Sequence, residues 1–167
     1  MELATLEKLY VDELKDLYSA EHQILKALPK MIKAATSKDL RNGFELHLKQ
    51  TEQQVKRLDK IFDRMGKAPT GKKCRGMVGL LEEGAELLKA DAEPAVLDAG
   101  MISAAQRVEH YEMAAYGTVR TYAELLKQSS DAKLLQDTLN EEKETNEKLT
   151  KLATKINVAA LEPAISR

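Results

Sequence analysis

The sequence predicts an all-α fold: a long antiparallel four-helix bundle whose two hairpins are joined by one long crossover. Three observations carry that expectation. Apolar side chains recur at three- and four-residue steps over four long stretches. The turn between the first two stretches is too short for anything but antiparallel neighbours. A connector over 66–93, opened by GKAPTGKKCRG, separates the second stretch from the third. With 167 residues the chain has the length of one domain, enough to bury about 70% of the surface that the unfolded form exposes. Lys+Arg number 26 and Asp+Glu 27, giving a net charge of −1 with both signs mixed along the helices. Such a surface offers nucleic acid no basic stripe, and that partner is excluded.

The first helix is expected over 3–35, on the stripe Leu6, Leu9, Leu14, Leu17, Ile24, Leu25, Leu28 and Met31, with a kink at Pro29, where the ring removes one backbone bond. Ser37 reads as the N-cap of the second. That helix carries Leu40, Phe44, Leu48, Val55, Leu58, Ile61 and Phe62 and ends at Gly66, a residue suited to the left-handed C-terminal position. Inside the connector, Met77, Leu80, Leu81, Leu87 and Leu88 predict a short extra helix, broken up locally by Gly79 and Gly84. Pro94 fits the first turn of the third long helix, whose stripe runs from Leu97 to Leu126 and whose end is placed near Gln128. Ser129, Ser130 and Asp131 then read as turn and cap. The fourth long helix follows to about Ala160, and the tail after Glu162-Pro163 is expected to fray. Two hairpins joined by a long crossover make the topology ferritin-like. Ala20-Glu21-His22 and Val108-Glu109-His110 hint at internal duplication.

No uninterrupted apolar run reaches membrane-spanning length, and the N-terminus lacks the basic start and apolar core of a signal peptide; the expected location is the cytoplasm, with no membrane partner. The lone Cys74 cannot form an internal disulfide or found a zinc motif, and is expected as a loop or half-buried thiol. No nucleophile triad, phosphate-binding glycine loop or nucleotide fingerprint occurs, so hydrolase, kinase and dehydrogenase chemistries drop out and no organic cofactor is expected.

Polar residues interrupt every long stripe at positions the periodicity assigns to the core. They are Glu21 in the first helix; His47, Thr51 and Gln54 in the second; Glu109, Glu112 and Tyr116 in the third; and Glu142, Thr145 and Asn146 in the fourth. Unpaired carboxylates in a low dielectric cost several kcal/mol each, so a buried set needs a compensating cation. Glu109 and Glu112, three apart, can offer two oxygens to one ion. The expected metal ligands are Glu21, His47, Glu109, Glu112 and Glu142, supported by Thr51, Gln54, Tyr116, Thr145 and Asn146. Placing the last turn at 129–130 sets Glu112 opposite Glu147. The competing reading leaves these glutamates exposed or paired with lysines. His22 and His110 point about 100° off their neighbouring glutamates and read as boundary or surface residues, and Tyr111 and Tyr122 as packing residues.

The strings DELKDLYSAEHQILKALPKM, HLKQTEQQVKRL, CRGMVGLLEEG, AAQRVEHYEMAAYGT and DTLNEEKETNEKL resemble the YciE/YciF family of bacterial proteins, in order and over nearly the whole chain. The resemblance implies a ferritin-like bundle with an extra short helix, a dimer, expression linked to general stress and a bacterial cytoplasmic home, without an established activity. Ferritin-like di-iron proteins place Glu on the first and third helices and Glu-x-x-His on the second and fourth. Here Thr51-x-x-Gln54 and Glu142-x-x-Thr145 stand in those places, while Glu109-x-x-Glu112 is similar to the doubled carboxylate of rubrerythrin-like proteins. What this implies is a weaker, single-metal or vestigial site. Two functions are therefore expected as alternatives. One is a metal-binding stress protein holding iron or manganese, which, if redox-active, consumes peroxide or dioxygen. The other is a non-enzymatic homodimeric structural or adaptor protein that binds other stress proteins without metal. Storage in a closed shell is disfavoured.

Overall fold

A computed structural model describes residues 4–161 as five α-helices: α1 (Leu6–Ala34), α2 (Lys38–Met65), α3 (Arg75–Leu87), α4 (Pro94–Leu125) and α5 (Ser129–Ala159). Position 3 and the tail after Glu162-Pro163 lie outside the described residues. Side-chain caps fix the first two helices: Thr5 Oγ1 accepts from Lys8 N at 3.2 Å, and Ser37 Oγ from Leu40 N at 3.4 Å. Helix α1 runs on through Pro29 without interruption. Gly66 (φ 60°) closes α2 in the expected left-handed conformation, with Lys67 N donating to Phe62 O and Gly66 N to Asp63 O. Pro94 occupies the first turn of α4.

Two expectations need correction. Gly79 and Gly84 do not break α3, which is continuous from Arg75 to Leu87; a helical glycine costs only about 1 kcal/mol, and packing on α1 and α4 outweighs it. The last turn also falls earlier than Ser129. Lys127 takes a left-handed φ of 60°, Gln128 N donates to Ala123 O at 2.8 Å and Lys127 N to Glu124 O at 3.0 Å, closing α4 with the bonding pattern of a glycine cap but with lysine in the glycine's place. Ser129 is then already helical, and no side chain caps α5.

Four long helices form a square in which α1 touches α2 and α4, and α5 touches α4 and α2. The crossover reverses the usual polarity, so α4 starts where α1 ends. There Asp98 accepts from Thr36 N (2.9 Å), Thr36 Oγ1 (2.6 Å) and Ser37 N (2.7 Å), tying the first hairpin's turn to the second hairpin. At the other end Arg64 pairs with Asp131 at 2.6 Å. Short α3 lies outside the square against α1 and α4. It is fastened by Cys74, a fully buried N-cap whose Sγ lies 2.9 Å from Tyr111 Oη and whose N–H donates to Ser19 Oγ. Tyr111 is thus more than a packing residue, since its hydroxyl also donates to Asp16 Oδ2 at 2.5 Å. Tyr122 does pack at the edge of the core. His110 is exposed, and half-buried His22 sits edge-on to Tyr18. Among the described residues no helix is long and apolar enough to cross a membrane.

The core is in two pieces. One gathers Ile24, Leu28, Leu40, Phe44, Met101, Ile102 and Leu149 with Met77 of α3. The other gathers Tyr10, Leu14, Leu17, Leu58, Ile61, Phe62, Val119, Leu135 and Leu139. Between them lies a belt of polar side chains.

Candidate metal centre

The belt follows from helical spacing. His47, Thr51 and Gln54 on α2, Glu109, Glu112 and Tyr116 on α4, and Thr138, Glu142 and Thr145 on α5 each step by three or four residues, the interval that keeps side chains on one inward face. Glu21 of α1 completes it. All ten are buried, with Glu21, Glu112 and Glu142 at 0% exposure, so the reading of these carboxylates as solvated or lysine-paired does not describe this fold. Half-buried Asn146 stands apart, on the α4–α5 seam, where it accepts from Gln106 Nε2 at 3.2 Å. The earlier turn at Lys127 explains this: it slides α5 along α4, so that Glu112 meets Glu142 rather than Glu147 and Asn146 moves out of the belt.

One ligand atom from each of His47, Glu109, Glu112 and Glu142 lies within 4.8 Å of all the others. Metal–ligand distances of about 2.0–2.2 Å place donors on opposite sides of an ion at most ~4.4 Å apart, so shifts of a few tenths of an ångström close this set around a single ion. Glu21 stands outside that group. Its Oε1 accepts the Tyr116 hydroxyl, and its carboxyl abuts Glu112. Gln54 Nε2 donates to Glu142 Oε1 and, at 3.1 Å, to Glu141 Oε2, and the Glu141 carboxylate pairs with Arg57 through Oε1 at 2.6 Å and Oε2 at 2.7 Å. Arg57 also donates to Thr138 Oγ1. The Thr51 hydroxyl bonds back to the His47 carbonyl at 3.0 Å and reaches no ligand. Glu141 and Arg57 escaped sequence reasoning because they lie off the stripes; the signal that could have found them is a buried Gln54 amide that needs a second acceptor.

Burial and mutual repulsion dominate the electrostatics of the belt. Burial, and then the neighbouring carboxylates, hold Glu21, Glu109 and Glu112 well above the usual carboxyl range. Burial raises Glu142 to about 7, with Glu109, Gln54 and Arg57 restraining the rise. Burial lowers His47 to about 4, which leaves the imidazole neutral, the form that ligates metals. Its Nε2 lies 3.6 Å from Glu109 Oε1. Tyr116 is raised well above the phenol range by burial and by Glu21 and Glu112. As carboxylates, Glu21 Oε2, Glu109 Oε2, both oxygens of Glu112 and Glu142 Oε2 find no donor among the described residues, and His47 Nδ1 finds no partner among them. Buried acceptors without donors, converging on one point beside a neutral imidazole, fit a divalent cation. A bound ion there would supply Lewis acidity or, with iron or manganese, a redox couple.

Residues 5–162 match the model of the domain of unknown function DUF892. The chain is 42% identical to protein YciF of Escherichia coli strain K12 over 154 residues, which is 92% of this chain and 93% of that protein. Superposed on the crystal structure of the E. coli stress protein YciF it gives a TM-score of 0.90 at 41% identity, covering 93% of this chain and 99% of the other. YcfI from Rhodopseudomonas palustris gives 0.86 at 44% identity over 89% and 95% of the two chains. A Xanthomonas campestris protein shares the fold alone, with a TM-score of 0.75 at 18% identity over 93% and 95%. A family match along nearly the entire chain, joined to close agreement in sequence and structure with YciF, makes this protein a member of the DUF892 family and a homologue of the stress protein YciF.

Proposed function

We propose that the protein is a metal-binding stress protein, holding one Fe(II) or Mn(II) ion in the belt through His47, Glu109, Glu112 and Glu142. The observation that carries this is the convergence of four buried ligand atoms, three of them carboxylate oxygens, with no lysine or arginine among the described residues hydrogen-bonded to those three carboxyls. Oxygen donors with one imidazole suit iron and manganese better than softer thiolate-seeking ions. Tyr116 holds Glu21 back from the group of four, and Gln54 orients Glu142, the kind of support that tunes a ligand. The stress association comes from the E. coli relative. Calorimetric titration of metal-free protein with Mn(II), and with Fe(II) under anaerobic conditions, is expected to show saturable binding at one ion per chain and a rise in melting temperature. Absence of both with either ion refutes the reading.

One observation favours a second reading, a homodimeric helical adaptor without metal. The carboxyls of Glu109 and Glu142, and of Glu112 and Glu21, are close enough to bond to one another when one member of each pair holds a proton. Protons alone could then satisfy the belt. Under that reading Glu21→Gln and Glu109→Gln leave fold and partner binding unchanged and elemental analysis finds no metal.

A further inference from the structure

A cavity of about 50 Å³ abuts the belt on the side of His47 and Glu109. Its exposed wall area is almost wholly apolar, formed by Ile24, Leu28, Phe44, Val108 and Leu149, with Gln50, Thr145 and the exposed Lys148 also on its lining. A cavity this size exceeds the ~30 Å³ that one water occupies in the liquid, yet a resident water needs two to four polar partners. His47 and Glu109 border it on the belt side, Gln50, Thr145 and Lys148 add a few polar atoms, and hydrocarbon makes up most of the remaining wall. A second, larger space of about 570 Å³ lies outside the square, between α1, the connector and α3. Ala27, Met31, Leu81, Ala105 and Val108 line both spaces. One layer of side chains, two of them alanines, therefore separates the groove under α3 from the inner cavity.

We propose that this cavity is a binding site for a small uncharged apolar molecule of diatomic size, reached through the Ala27–Ala105 partition and delivered beside His47 and Glu109. The inference rests on the metal reading for its purpose, since a reactant held there meets whatever ion the belt carries. The chemistry of the walls sets the class. A charged oxyanion would give up its hydration against alkyl side chains and then face a cluster of glutamates, a double penalty. Hydrogen peroxide would lose most of its hydrogen bonds in the same place. A molecule such as dioxygen loses neither, and its partition into hydrocarbon is favourable.

Xenon is a probe of matching size and polarity. In metal-free protein, xenon pressure is expected to shift the methyl resonances of Ala27, Leu28, Val108 and Leu149 saturably, while Leu14, Leu58 and Val119 of the other apolar cluster stay fixed. Ala105→Leu should abolish those shifts by filling the space and leave Mn(II) binding unchanged; should it fail to fold, the smaller Ala105→Val reports through a reduced shift. No saturable shift in the parent protein, or the same shift in the folded variant, overturns the proposal. Because the xenon measurement needs no metal, shifts with no Mn(II) binding would sink the metal reading and leave the cavity standing, and Mn(II) binding with no shifts would do the reverse.

Discussion

Replacing Glu142 by Gln in the metal-free protein should stabilise it above neutral pH and leave it unchanged in acid. Glu142 is fully buried, and its carboxyl is raised from 4.5 to about 7. An acid whose folded pKa lies above its unfolded value binds protons more tightly when folded, so its charge costs nothing below about pH 4.5. The cost grows as pH rises from there to 7, and is constant above. At 1.36 kcal/mol per pH unit the penalty at pH 8 is about 3 kcal/mol. Gln keeps the shape, still accepts from Gln54 Nε2, and carries no charge to be desolvated. For a chain of this size, ~2–4 °C per kcal/mol gives a melting temperature roughly 6–12 °C higher than the parent's at pH 8. Thermal unfolding of both proteins in chelator at pH 4 and pH 8 is the assay. Saturating Mn(II) should reverse the order at pH 8, because the parent gains a ligand-linked stabilisation that the variant largely forgoes. A variant that melts below the parent at pH 8 in chelator, or a difference that does not change between the two pH values, refutes the account of a charge-strained belt.

Mn(II) binding at pH 6 is expected to release protons, since raised carboxyls must ionise to ligate; calorimetry in two buffers of different ionisation enthalpy reads the number, and affinity should climb from pH 5.5 to 7.5. Asp98→Ala removes the acceptor for three hydrogen bonds at the α1–α2 turn and should cost about 3 kcal/mol or more, seen as a lower urea midpoint. Lys127→Gly relieves a left-handed φ at a non-glycine residue and should add about 1 kcal/mol, a gain of roughly 2–4 °C in melting temperature with no change in metal binding.

Helix identity and hairpin order were legible because stripes such as Leu40, Phe44, Leu48 and Val55 report the inward face directly, and Ser37, Gly66 and Pro94 obey ordinary terminal chemistry. Burial of Glu21, His47, Glu109, Glu112 and Glu142 was legible by the same rule, as breaks in those stripes. Register between α4 and α5 was not. It depends on one turn, and that turn uses a lysine where local preference expects glycine, so the serines after it looked like the better stop. Five residues of slide decide whether Glu112 faces Glu142 or Glu147, and no local pattern encodes them. Tyr111 and Cys74 were read as bland for a related reason: their partners, Asp16 and Ser19, lie on α1, far off in sequence.

The divided core gives the folded state an unusual dependence on its surroundings. Two oily blocks hold the ends of the bundle together whatever the solvent contains, whereas the waist between them coheres in proportion to how completely its acids are neutralised. His47 comes from the first hairpin and the three glutamates of the group from the second, so a neutralising ion would add a rivet at the waist to the polar ties that Asp98, Arg64 and Arg57 already make between the two halves. Abundance in a cell that degrades loosened proteins would then follow the supply of that ion, and the molecule would persist when metal is plentiful and vanish when it is scarce, with no separate sensor required.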